Sequence, residues 1–115
     1  MNANIASLRG RTGVVTGASS GMGAAVALRL ARTGADVAAI GRRADRLAGL
    51  VGAASDAPGR IVPIPADVTS DGDVEAAISL IHDELGSPDL LVNAAGVMLP
   101  NPLADGRADE WQRMI

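Results

Sequence analysis

Several residue types are missing from this sequence, and each absence excludes a class of chemistry. There is no cysteine, so disulfide bonds and thiolate metal sites are excluded. There is no tyrosine, and all ten basic residues are arginine, so there is no lysine either. The one histidine, His82, is too few for a multi-histidine metal site. Any reaction that needs a tyrosine or lysine side chain to move a proton must find it outside these 115 residues.

Strong charge and long apolar runs are missing as well. The net charge of -3 is mild and argues against a nucleic-acid partner, which would need a strongly basic face. No run approaches the ~20 apolar residues that a membrane helix needs. The N-terminal residues form no apolar segment, so we expect no signal peptide and a cytoplasmic location. Hydrophobic residues make up 48% of the chain, which predicts one packed domain rather than disorder.

Short apolar runs alternate with helical patterns along the chain. Strands are predicted at 13–16, 36–40, 60–64 and 90–93. Helices are predicted at 21–33 and 44–54, from Thr69 or Ser70 to Gly86, and from 108 onward. Alternation with short loops predicts an α/β fold, a Rossmann-type doubly wound parallel sheet of which only the first half, about four strands, is present.

The predicted sheet order is 3-2-1-4, which places strands three and four at its two edges. Pro63 and Pro65 lack a backbone donor, so strand three suits an edge. Strand four carries the run Leu90, Leu91 and Val92 without proline or charge. An open apolar edge of this kind invites pairing with another chain, so we expect self-association through an exposed strand four.

A glycine-rich loop follows strand one and leads directly into the first helix. Gly17, Gly21 and Gly23 allow the backbone to approach a pyrophosphate, whose charge the helix N-terminus attracts. The hydroxyls of Ser19 and Ser20 are expected to donate to phosphate oxygens. The alternative is a glycine-rich turn without a ligand. Position between a strand and a helix favours nucleotide binding, and the missing lysine excludes a triphosphatase P-loop.

The spacing Thr-Gly-x-x-x-Gly-x-Gly resembles that of the short-chain dehydrogenase/reductase family. Three further segments resemble the family in the same order: Asp67-Val68, the run from Asp89 to Gly96, and 109–115. The family has an asparagine where this chain has Ala94, which implies weaker bracing of strand four. The resemblance implies that Asp67 lies beside adenine and that the backbone of Val68 contacts the cofactor. It also implies cofactor contacts at Gly17, Ser19, Ser20, Gly21, Met22, Gly23, Asn93, Ala95 and Gly96.

The end of strand two indicates which nicotinamide cofactor the site prefers. NAD-binding sites usually carry an acidic residue there, which binds the ribose 2′-hydroxyl. This chain has Gly41 in that place, followed by Arg42 and Arg43. Arginine suits the 2′-phosphate of NADP, so NADP is expected and NAD is the less favoured alternative. Both arginines are alternatively solvated surface charges, and Asp45 is close enough in sequence to pair with either.

The resemblance also implies which residues are missing. The family's catalytic serine and its Tyr-x-x-x-Lys pair have no counterpart here, and no catalytic residue is assigned. Residues 1–115 are therefore expected to form an NAD(P)-binding domain that ends before the catalytic half, as a fragment would. Three hypotheses stay open: part of an oxidoreductase acting on carbonyls or alcohols, a protein that only binds nucleotide, or a non-functional remnant. The substrate and the oligomeric state stay unknown.

Other polar residues have simpler interpretations. Asp71, Asp73 and Glu75 open the third helix and suit its dipole, with a metal cluster as a remote alternative. His82 is expected on the polar side of that helix. Met98 and Leu99 either border a substrate cleft or pack within a loop.

Overall fold

The computed structural model describes residues 7–94 and 97–99. The elements in these ranges are β1 (Thr12–Thr16), α1 (Gly21–Arg32), β2 (Asp36–Gly41), α2 (Ala44–Ala53), β3 (Ile61–Pro65), α3 (Asp71–Leu85), β4 (Leu90–Asn93) and β5 (Val97–Leu99). The first seven follow the predicted order, and none of their ends differs from the predicted end by more than two residues. The predicted helix at 108–115 lies outside the described residues.

The strands form one sheet in the order β3-β2-β1-β4-β5. Strands β1 and β2 are parallel, as are β1 and β4, and β2 and β3. The chain therefore winds outward from β1 in both directions. This is the predicted Rossmann-type half, and it brings the carboxyl ends of β1, β2 and β3 to the same edge of the sheet.

Side chains alternate between the two faces of the sheet, and each face is covered by helices. Val14 and Leu91 pack with the apolar face of α3, which includes Val74 and Ile81. Their neighbours on the opposite face belong to a second core, to which α1 and α2 contribute. Members of that second core include Val15, Val92, Ala27, Ala31 and Leu47. Burial on both faces explains why the central strands are continuous apolar runs.

The helix ends follow local signals in the sequence. Ser70 caps α3, because its hydroxyl oxygen accepts from the backbone N–H of Asp73 at 3.3 Å. Gly86 ends the helix with φ of 81°, a conformation in which a Cβ would be strained. The sequence left Thr69 and Ser70 as alternative caps, and the structure assigns the cap to Ser70.

One of the two predicted edge strands lies at an edge of the sheet, and the other does not. Strand β3 lies at an edge as predicted, with Pro63 opposite Ala39 and Pro65 opposite Gly41. The prediction of an open β4 edge is wrong for three of its residues. Residues 97–99 form β5, which pairs antiparallel with Leu91, Val92 and Asn93. The expected self-association through an exposed strand four therefore loses its structural basis.

Two further points concern the part of the chain that the structure describes. None of its helices is both long and apolar enough to cross a lipid bilayer. Its acidic and histidine side chains form no group of three that is suited to a metal ion. Asp73 instead accepts a hydrogen bond from the backbone N–H of Asp67 at 2.8 Å, so it joins the start of α3 to the preceding loop.

Candidate functional site

A cleft of about 460 Å³ lies beyond the carboxyl ends of β1, β2 and β3. This is where ligands bind in open α/β sheets, and the volume lies within the usual range for small-molecule sites. Residues from three loops and the start of α2 meet here. The lining residues are Gly17, Ser19, Ser20, Gly41, Arg42, Arg43, Arg46, Ala66, Asp67, Val68 and Thr69.

The loop after β1 is held close to the sheet by backbone hydrogen bonds. Gly17 has φ of 66°, which a residue with a Cβ rarely adopts. The N–H of Ala18 donates to the carbonyl of Ile40 at 2.9 Å, and the N–H of Ser20 donates to that of Gly17 at 3.0 Å. Ala18 is fully buried. The loop therefore has a defined shape that is fixed to β2.

The two glycines that begin α1 have different reasons to lack a side chain. A Cβ on Gly23 would overlap the carbonyl oxygen of Gly17, so this glycine lets the helix pack on the loop. A Cβ on Gly21 would meet nothing within 4 Å. The protein itself therefore gives no steric reason for Gly21, whereas a ligand passing close to the backbone would.

The amino end of α1 leaves backbone donors free. Ser20 Oγ accepts from the N–H of Gly23 at 3.2 Å, which satisfies one of the first-turn donors. Within residues 7–94, the N–H groups of Gly21 and Met22 donate to no protein acceptor. The first turn carries no acidic side chain. Free donors together with the positive end of the helix dipole suit an anion.

The side chain of Ser20 is hydrogen-bonded within the loop. Its hydroxyl donates to the carbonyl oxygen of Gly17 at 2.7 Å, so the hydroxyl hydrogen is already used inside the loop. Ser20 therefore shapes the loop and caps α1, and the predicted donation from its hydroxyl to a phosphate would require the bond to Gly17 to break. Ser19 makes no such side-chain hydrogen bond with the described residues, so its hydroxyl is available at the cleft.

Gly41, at the end of β2, lies against the glycine-rich loop. A Cβ at this position would lie 2.7 Å from Ser19 Oγ and 2.9 Å from Ser19 N. Both distances are shorter than side chains tolerate, and one of the atoms belongs to the backbone. The missing side chain at residue 41 is therefore required by the loop, in addition to removing an acidic group.

The arginines beside the cleft differ in how they are held. Arg43 donates to both carboxylate oxygens of Asp45 at 3.3 Å. Arg42 makes no hydrogen bond or ion pair with residues 7–94, so Asp45 neutralises Arg43 and leaves Arg42 available. Arg46 was not expected at the site. Its Nη1 donates to the carbonyl oxygen of Ser19 at 3.4 Å.

The loop after β3 supplies the acidic side of the cleft. Asp67 Oδ1 accepts from the hydroxyl of Thr69 at 2.6 Å and from its backbone N–H at 2.9 Å. These two hydrogen bonds are the main reason why the pKa of Asp67 lies below its ordinary value of 3.8, and the charge of Arg42 lowers it further. Asp67 is therefore a carboxylate at neutral pH, and Val68 follows it along the cleft wall.

The remaining predicted contacts lie elsewhere. Asn93 ends β4, opposite Thr16 at the end of β1, and does not line the cleft. Ala95 and Gly96 lie outside the described residues. The backbone N–H of Ala94 donates to the carbonyl oxygen of Thr16 at 3.3 Å. Thr16 Oγ1 is buried and has no hydrogen-bond partner among the described residues.

Sequence reasoning brought most of the site together and missed two of its members. Seven of the predicted contacts line the cleft together: Gly17, Ser19, Ser20, Arg42, Arg43, Asp67 and Val68. Gly21, Met22 and Gly23 are not among its lining residues. Sequence reasoning missed Arg46 and Thr69. Helical spacing was the available signal for Arg46, because it follows Arg43 by three residues and residues three apart on a helix lie on the same face.

Known proteins are similar to this chain in sequence and in fold. A family model described as short chain dehydrogenase matches residues 11–115. The chain belongs to the short chain dehydrogenase family. Glycine betaine reductase ATRR from Emericella nidulans is 45% identical over 108 residues, which cover 94% of this chain and 8% of the relative. Members of the family bind a nicotinamide cofactor.

Solved structures of the family match the fold. A dehydrogenase/reductase from Sinorhizobium meliloti 1021 has a TM-score of 0.72 at 44% identity. The match covers 79% of this chain and 36% of that protein's chain. The L-sorbose reductase from Gluconobacter frateurii, solved with NADPH and L-sorbose, has a TM-score of 0.70 at 30% identity. The match covers 90% of this chain and 40% of that reductase. The chain therefore spans less than half the length of these relatives.

Proposed function

We propose that this chain is the cofactor-binding part of an oxidoreductase that transfers a hydride between NADP(H) and a carbonyl or alcohol substrate. The observation that carries the proposal is the cleft beyond β2, where Gly41 stands in place of an acid and Arg42 has unused donors. The nicotinamide, when bound, supplies or accepts the hydride. Everything that the chain itself contributes is binding and orientation.

The residues of the cleft fit a dinucleotide. The N–H groups of Gly21 and Met22, with the dipole of α1, would hold the pyrophosphate, and Ser19 would add a hydroxyl donor. The open space at Gly21 leaves room for a close approach. Ser20 and Gly23 would act indirectly, by fixing the loop.

The other half of the cleft fits the adenosine end. We infer that Arg42 binds the ribose 2′-phosphate through charge-assisted hydrogen bonds. Arg43 contributes positive charge, but two of its donors bind Asp45, so we expect it to contribute less than Arg42 to binding of the 2′-phosphate. Asp67 Oδ2 makes no hydrogen bond with the described residues, which leaves it able to accept from the adenine amino group. Asn93, Ala95 and Gly96 are proposed as contacts nearer the nicotinamide, on the family resemblance alone.

Binding without turnover is the second candidate for the chain by itself. It rests on the absence of tyrosine and lysine from the sequence, since the family's acid/base pair uses both. On this proposal the chain binds NADP(H) but moves no proton. Catalysis would require the missing groups from another part of a longer protein.

Calorimetric titration with NADP⁺ and NAD⁺ tests the cofactor assignment. The chain should bind NADP⁺ more tightly than NAD⁺. Arg42→Ala should weaken NADP⁺ binding by about 1.5–3 kcal/mol, as expected for a hydrogen bond to a charged group, and leave NAD⁺ nearly unchanged.

Arg32→Ala is the matched control for this titration. It removes the same charge from the last turn of α1, at the opposite end of that helix from the cleft. It should change neither affinity. Equal losses for both cofactors in Arg42→Ala would show that Arg42 does not contact the 2′-phosphate.

A further inference from the structure

Three arginines gather at the amino end of α2. Arg43 is the N-cap of this helix, Arg42 precedes it, and Arg46 is its third residue. The helix dipole disfavours cations at this end, and Asp45 is the one acidic residue in the first turn. The local sequence of α2 gives no stabilising reason for three positive charges there, whereas a bound anion would.

The hydrogen bonds of Arg46 leave most of its donors unused. Nη1 makes one long bond of 3.4 Å to the carbonyl oxygen of Ser19. A guanidinium has five N–H donors, and no described acidic side chain pairs with that of Arg46. Arg43, in contrast, is held by both oxygens of Asp45. Two guanidinium groups with spare donors, Arg42 and Arg46, therefore line the same cleft.

We propose that Arg46 is a second specificity-determining residue, which binds the 2′-phosphate of the cofactor together with Arg42. This inference rests on the proposed NADP preference. A phosphate dianion accepts several charge-assisted hydrogen bonds, so it can be shared by two guanidinium groups. The bond from Arg46 to the carbonyl oxygen of Ser19 is long, at 3.4 Å, so the loop does not depend on it, and the phosphate is the main partner of this side chain.

A purely structural role predicts a different pattern of losses. If Arg46 only braced the loop through Ser19, its removal would weaken every ligand that uses the loop, whether or not it carries a 2′-phosphate. If Arg46 binds the 2′-phosphate, the loss is confined to ligands that carry that group. Paired ligands that differ only in the 2′-phosphate therefore separate the two roles.

The test titrates the chain and its Arg46→Ala variant with NADP⁺, NAD⁺ and adenosine 2′,5′-bisphosphate. Arg46→Ala should raise the Kd of NADP⁺ and of the bisphosphate about tenfold, as for one lost charge-assisted bond. The Kd of NAD⁺ should change less than about twofold. Arg46→Lys should recover part of the affinity, because it keeps the charge but not the planar fork.

Controls separate this inference from the proposed function. Arg32→Ala should leave all three Kd values unchanged, and far-ultraviolet circular dichroism should show that each variant is folded. If Arg46→Ala does not fold, Arg46→Gln replaces it. If Arg46→Ala loses affinity for NADP⁺ and NAD⁺ equally, or loses none, the inference about Arg46 is overturned. The proposed function is still supported in that case if the wild-type chain prefers NADP⁺. A wild-type chain without that preference overturns both.

Discussion

A single missing side chain at Gly41 meets two requirements of this site. On the proposed NADP preference, it leaves the end of β2 without an acidic group that would repel the 2′-phosphate. It also leaves room for the backbone of Ser19, which a Cβ would approach to 2.9 Å. The proposed cofactor preference and the position of the loop therefore both depend on this residue. A change of preference by substitution at this position has to move the loop as well.

We predict that Gly41→Ala lowers stability and weakens both cofactors alike. Overpacking at Ser19 should cost about 1–3 kcal/mol of unfolding free energy, and the shifted loop should bind the pyrophosphate less well. Thermal unfolding and calorimetry measure the two effects. The control is Gly49→Ala in α2, whose Cβ would meet nothing within 4 Å. That change should be neutral or stabilising by about 0.5–1 kcal/mol. An unchanged stability in Gly41→Ala would contradict the steric account.

Asp67 and Thr69 define a second prediction at this scale. Thr69→Val removes the hydroxyl that donates to Asp67 Oδ1, so the pKa of Asp67 should rise toward its ordinary value of 3.8. A lowered folded pKa gives stability that is complete above 3.8 and is lost as the pH falls through the folded value. Carboxyl chemical shifts measured by NMR follow the titration. Thr69→Ser keeps the hydroxyl and should keep the lowered pKa, and identical titrations in the Val and Ser variants would contradict the account.

At the scale of elements, α1 and α3 begin with the same cap and serve different purposes. In each helix a serine hydroxyl accepts from the third helical N–H. The start of α3 is filled by acidic residues, Asp71 and Asp73, which stabilise its dipole internally. The start of α1 has no acidic residue, and it directly follows Ser19 and Ser20, which line the cleft. The difference supports the proposal that the start of α1 binds an anion, a role for which the acidic start of α3 is unsuited.

The cap of α3 leads to a prediction about stability. Ser70→Ala should lower the free energy of unfolding by about 1 kcal/mol, because the N–H of Asp73 loses its acceptor. Chemical denaturation gives the value. Ser79→Ala, at an exposed position in the middle of α3, is the matched control and should be neutral or slightly stabilising. A loss of the same size in both variants would show that the cap is not responsible.

At the scale of the whole molecule, the sheet brings the separate segments of the cleft together. The outward winding from β1 places three loop segments at one edge, where the cleft forms. The sequence contains neither tyrosine nor lysine for acid/base catalysis. On the proposed function, the chain contributes the cleft for the dinucleotide, and the acid/base groups of a dehydrogenase would have to come from elsewhere.

We predict that the chain alone oxidises no NADPH with a panel of aldehydes and ketones. General acid/base catalysis by itself contributes typically ~10²–10⁴-fold, and substrate positioning is lost in addition. Absorbance of the reduced nicotinamide measures turnover. Arg42→Ala distinguishes a contaminating reductase from the chain, since only activity of the chain should fall in that variant. Turnover that falls with Arg42→Ala would contradict the prediction.

Local pattern in the sequence determined the order of strands and helices, the glycine-rich loop and the position of Arg42. These follow from signals a few residues long: apolar periodicity, helix caps and glycine spacing. The parallel order and the two-sided core followed from the helix predicted between each pair of consecutive strands. The site residues of the glycine-rich loop and Asn93, Ala95 and Gly96 remain predictions as ligand contacts.

Tertiary structure alone decided which partners these residues take. Asp45 was close to both arginines in sequence, and only the fold shows that it holds Arg43 and leaves Arg42. The contact of Gly41 with Ser19 joins residues from two strand ends, and that of Arg46 with Ser19 joins a helix to a loop. The pairing of β5 with β4 corrected the expected open edge. Each of these depends on distances between segments far apart in the chain, which no local pattern in the sequence encodes.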